Sequence, residues 1–79
     1  MFIYNKHTDR LINSQYISSL TVLYRGKKAG SEVWSVVVFM AGADNYGVLS
    51  DHESKKEAET ALSMIADALE AGRTVYTIR

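Results

Sequence analysis

The chain has 79 residues, 47% of them apolar, and nine basic side chains balance nine acidic ones. That composition belongs to a folded domain rather than a disordered one, and the length holds a single domain, 1–79, near the lower limit for one hydrophobic core. The absence of cysteine excludes disulfides and thiolate metal sites, and no run approaches the roughly eighteen apolar residues of a membrane helix.

The opening Met1-Phe-Ile-Tyr-Asn-Lys6 lacks the basic and long apolar regions of a secretory leader, so a cytoplasmic protein is expected. Phe2-Ile3-Tyr4 predicts a first short strand. Asn5 to Ser14 is rich in Asn, Asp, Thr and Ser, whose side chains bond nearby backbone and favour turns. Leu11-Ile12 within it is expected to dip back toward the core. From Tyr16 to Arg25 the chain alternates, with Ile17, Ser19, Thr21 and Leu23 on one face and Tyr16, Ser18, Leu20, Val22 and Tyr24 on the other. Period two with β-branched and aromatic residues predicts a strand buried mainly on one side. Gly26 to Glu32 predicts a polar loop longer than a two-residue hairpin.

Val33 to Ala41 is apolar on both faces. Trp34, Val36, Val38 and Met40 point one way, and Val33, Val37 and Phe39 the other. Such a strand belongs in mid-sheet with both sides covered. A single helix covers one side, so the other needs the N-terminal segment or a second subunit. Gly42 to Asn45 predicts a turn and Tyr46 to Ser50 a partner strand.

Ser54-x-x-Glu57 fits a capping box. Ala58, Leu62, Ile65 and Leu69 follow at helical spacing, with Ala61 and Ala66 beside them and Glu59, Ser63, Asp67 and Glu70 outside. Gly72 suits a left-handed stop. The helix is expected over about 54–71, and Thr74 to Ile78 as a short last strand. The predicted fold is α+β: an antiparallel sheet of four or five strands with this helix packed on one face.

No reaction chemistry stands out. His7-x-Asp9 and Asp51-His52-Glu53 lie in turn-like polar segments and lack a recognised metal-ligand spacing. The glycine loops join strands instead of feeding a helix, as a phosphate cradle requires. No serine sits in a nucleophile elbow. These residues imply no catalytic group, cofactor or metal, and the protein is expected not to be an enzyme.

Charge is uneven along the chain: residues 1–31 carry five basic groups and one acid, residues 32–79 four basic groups and eight acids. Arg25, Lys27 and Lys28, with Tyr24 and the other tyrosines, make a candidate single-stranded nucleic-acid or nucleotide contact, as the alternative function. The leading expectation is a non-enzymatic interaction module. Its candidate interface is Trp34, Val36, Val38 and Met40, a patch large enough to favour a homodimer that also binds a protein partner.

The layout of a short strand, Leu11-Ile12-Asn13, Ile17, two central strands and the closing S-x-x-E-A-x-x-x-L…L-x-x-G-x-x-V-Y segment from Ser54 to Tyr76 resembles a group of small proteins. They occur in Gram-positive bacteria, their plasmids and prophages, and are mostly uncharacterised. The resemblance covers nearly the whole chain, but it rests on cap and core residues and implies a shared fold. It is compatible with a regulatory or host-defence-countering role for a mobile element and carries over no functional residue. Where those proteins have a tight acidic-glycine hairpin, this chain has Gly42 to Tyr46.

Overall fold

The computed structural model describes residues 1–78. In chain order its elements are β1 (Phe2–Asn5), β2 (Arg10–Asn13), a single 3-10 turn (Ser14–Tyr16), β3 (Ile17–Lys28), β4 (Ser31–Met40), β5 (Tyr46–His52), α1 (Lys55–Glu70) and β6 (Val75–Ile78). The α+β class holds, but the expected sheet of four or five strands is two sheets of three, ordered β2-β1-β6 and β3-β4-β5. After α1 the chain returns beside β1 and pairs with it in parallel, Ile3 opposite Tyr76. Asn5, buried at the end of β1, meets β5 with its side chain: Nδ2 donates to the Leu49 carbonyl at 2.8 Å. Both edges of β1 are already paired, so a side-chain bond rather than a ladder links the two sheets here.

Three bulges shape the larger sheet. Ser18 is the extra residue between the Ile17–Met40 and Ser19–Phe39 pairs, and its hydroxyl donates to the Phe39 carbonyl at 3.0 Å. That extra residue brings Ile17 onto the same face as Leu20 and Val22, whereas strict alternation groups it with Ser19. Arg25 and Gly26 together oppose Val33, with Gly26 at φ 90°. On β5, Leu49 is the extra residue between Val48 and Ser50, and its side chain enters the core. The expected loop over 26–32 is largely strand. Only Ala29 and Gly30 turn, both at positive φ, which is the two-residue hairpin geometry matched to strand twist.

Ser54 caps α1 by accepting from the Glu57 N–H at 3.2 Å, and the Glu57 carboxylate accepts from Glu53 N–H at 3.4 Å, one residue earlier than the reciprocal box. At the other end Gly72, at φ 72°, and Arg73 bond back to the Leu69 and Ala68 carbonyls. The buried stripe is Ala58, Ile65 and Ala68, with Ala61 and Leu62 half in. Leu69, expected on that stripe, is turned to solvent, and Ala68 takes its place. The small side chain lets the last turn lie close to the sheet.

One core joins these layers. Val36 and Val38 from β4, Leu49 from β5, Ala58 and Ile65 from α1, and Ile3 and Ile78 from the small sheet form a single cluster. Helix and small sheet therefore roof the same face of β3-β4-β5.

Candidate functional site

The face of β4 expected as an interface is the face inside the molecule. Val36 and Val38 are buried against α1 and β1, and Trp34 and Met40 pack at the margins of the same cluster, half-exposed. Both available covers, helix and N-terminal segment, lie on this one side. The physical reason is visible in β4 itself: this face carries four apolar residues, while Ser35 interrupts the other. The core took the unbroken stripe.

Among the described residues no helix or sheet packs as a layer on the opposite face. Its residues follow from the register: Leu23 opposite Ser35 opposite Asp51, Thr21 opposite Val37 opposite Val48, and Ser19 opposite Phe39 opposite Tyr46. Phe39 and Tyr46 meet edge to face with ring centroids 5.9 Å apart. Tyr46 is 40% exposed, and Leu23, Val33, Phe39 and Val48 are half-buried. Val37 at the centre is fully buried yet stands outside the main core cluster. At one end of this apolar strip the Ser35 hydroxyl donates to Asp51, which also pairs with Arg25 at 3.5 Å. The turn around His7 and Thr8 rims the strip beside Val48 and Asp51. Leu23, Tyr46 and Val48 were not candidates by sequence. The register across the 42–45 turn puts Tyr46 and Val48 on the face of Val37, and the bulge at Leu49, which has no sequence mark, brings Asp51 onto it as well.

The basic candidates gather at the β3–β4 hairpin. Tyr24 lies against Trp34 with centroids 4.8 Å apart at 46°, and the indole N–H donates to Glu32 at 3.3 Å. Arg25, Lys27 and Lys28 line a depression together with Glu32, Asp51 and Glu53. The hairpin is thus a mixed-charge surface, because folding sets the acids of β4 and β5 beside the basic half of the sequence.

The two histidines stand apart. His7 is exposed in the β1–β2 turn, and His52 shares a 2.8 Å hydrogen bond with Ser50 on the inner side of β5. Among the described residues no three metal-ligating side chains converge. Ser50 and His52 form one wall of a cleft of about 530 Å³. Met64 and Ile65 of α1 floor it, and β6 with Arg73 makes the far wall. No helix of the described chain is long and apolar enough to cross a membrane. Compared with protein-family models, curated proteins and solved structures, the chain finds no match.

Proposed function

We propose that this protein is a non-enzymatic interaction module that pairs with a second copy of itself through the outer face of β3-β4-β5. The observation that carries this reading is the apolar strip of half-buried Leu23, Val33, Phe39 and Val48 with exposed Tyr46, set around the buried Val37. A two-fold axis lying across the strands near Val37 sets the aromatic end of one copy over the Arg25–Asp51 end of the other, so rings meet a guanidinium. Strand spacing and rise give this face a contact of about 900 Å² in total, at the low end for a specific interface. The pairing is therefore weak and depends on concentration. Such a module is also compatible with a regulatory role for a mobile element.

Light scattering over a concentration series tests it. The expected result is a mass rising from monomer to dimer at tens of micromolar (roughly the affinity such a small face supports). Phe39→Lys with Val48→Lys should hold the chain monomeric with its melting little changed. A wild-type mass that stays monomeric throughout overturns the reading.

A second reading, single-stranded nucleic-acid binding, is favoured by one feature: the Tyr24–Trp34 pair beside Lys27 and Lys28. It predicts oligonucleotide affinity that falls steeply with salt and is lost when Arg25, Lys27 and Lys28 become Gln. Binding that persists in the triple variant rejects it.

A further inference from the structure

We infer that the cleft between α1, β5 and β6 captures an extended, carboxylate-bearing peptide segment of a partner protein as an added strand on β6. The inference deepens the interaction-module reading by giving a second partner a site separate from the self-pairing face.

Four consecutive residues, Val75 to Ile78, line the cleft. Side chains of a strand alternate between faces, so a run of consecutive residues means that the strand's edge faces the opening. The hydrogen bonds agree. The Phe2 and Lys6 N–H groups donate to the carbonyls of Thr74 and Ile78, and the parallel register places Ile3 opposite Tyr76. In a parallel ladder the same strand residue both donates and accepts, so Thr74, Tyr76 and Ile78 face β1. Val75 and Thr77 aim their N–H and C=O groups away from β1, and neither residue bonds another described residue through them.

The outer edge of β3 is defended by contrast. The free edge of β3 carries two bulges and ends in Lys27 and Lys28, devices that discourage strand addition. Val75-Tyr-Thr-Ile78 has neither charge, proline nor bulge. Its shortness leaves four backbone groups to offer, so the added strand needs further contacts. Met64, 55% exposed, and Ile65 supply an apolar floor. Arg73, fixed just past the helix stop, forms no ion pair among the described residues. Asp67 shares a neighbouring depression with it but not an ion-pair contact. The Arg73 guanidinium lies over the Tyr76 ring at 5.9 Å, a contact that leaves its charge without a counter-ion. Beside an open edge and the Ser50–His52 hydrogen-bonding wall, it calls for a carboxylate on the incoming strand.

The probe is the peptide acetyl-Val-Thr-Val-Thr-Glu-amide and its Gln counterpart, titrated into the isotope-labelled full chain and followed by NMR. The amides of Val75 and Thr77 should shift saturably and gain exchange protection, while that of Tyr76 barely responds. The Gln peptide should bind roughly fivefold more weakly, and Arg73→Gln should erase that difference. Thr77→Pro removes a cleft-facing N–H without touching the β1 ladder and should abolish binding. If that variant fails to fold, the Arg73→Gln cycle decides alone. No saturable shift at Val75 and Thr77 at millimolar peptide, equal affinity for both peptides, or shifts confined to Val33–Phe39 overturns the proposal. Light scattering on the same samples separates the two sites: Thr77→Pro should leave self-association unchanged, and Phe39→Lys should leave peptide binding unchanged.

Discussion

Ala29 is held at φ 52°, a left-handed conformation that costs an L-residue with a Cβ roughly 1 kcal/mol and that Asn tolerates better. It bears that strain because the Ala29–Gly30 turn joins two long strands in register, Lys28 opposite Ser31. Ala29→Asn should therefore stabilise the chain by about 0.5–1 kcal/mol, and Ala29→Val should destabilise it, both read from denaturant midpoints. Asp9, the other non-glycine residue at positive φ, accepts a 2.8 Å hydrogen bond from the Tyr4 hydroxyl. That bond first, then the carboxylate's charge and slight desolvation, raises the Tyr4 pKa above the ordinary phenol value. Raised in the folded state, it contributes stability that is whole below pH about 10 and is lost as pH climbs through the folded value. In an ultraviolet titration Tyr4 should ionise later than an ordinary phenol, and Asp9→Asn, which removes the charge, should bring it back toward that value.

At the scale of elements, α1 shows what a sequence pattern fixes and what it leaves open. The Ser54 cap, the Gly72 stop and the existence of an apolar stripe follow from spacing alone, and the observed span Lys55–Glu70 matches them. The rotation of the stripe does not follow. Leu69 and Ala68 both sit near its edge, and tertiary packing chose the smaller, burying Ala68 and exposing Leu69. Ile65→Ala should cost about 2–4 kcal/mol because its side chain is wholly inside. Leu69→Ala, at a side chain 39% exposed, should cost about 1 kcal/mol; a loss matching that of Ile65→Ala would return Leu69 to the core. The same ambiguity governed the sheet. Period two marked the two faces of β4 and of β3 from Ser19 to Tyr24 but misplaced Ile17, because the bulges at Ser18, Gly26 and Leu49 decide which residues share a face. A bulge is one residue of irregular backbone, with Gly26 the sole one of the three that glycine announces. On β4, which carries no bulge, the stripe expected as an interface became core: Val36 and Val38 are buried inward, and Val33, Val37 and Phe39 line the opposite face.

For the molecule as a whole, two sheets must share one core without sharing a ladder, and Asn5 is the joint. It is 2% exposed, donates through Nδ2 to Leu49 O and accepts at Oδ1 from the His7 N–H at 3.0 Å. Both halves of the amide are used, which is why a polar group is tolerated there. The Leu49 carbonyl is available because the bulge pulls that residue out of the β4 ladder. Asn5→Asp keeps the acceptor for His7 but sets a carboxylate oxygen against the Leu49 carbonyl. At pH 7 the variant should lose about 2–4 kcal/mol, through the missing donor and a buried unpaired charge. Protonation restores an O–H donor, so the folded-state pKa of the new carboxyl is raised above its unfolded value of about 3.9. Protonation then favours the fold, and the deficit relative to wild type should shrink as pH falls through the raised value. Paired denaturant curves for wild type and variant at neutral and acidic pH measure it, with the chain's general acid sensitivity cancelling in the difference. A deficit that is the same at both pH values would mean that Asn5 serves only as filler, and the two sheets would then be held together by the apolar cluster of Ile3, Leu49 and Ile78 alone.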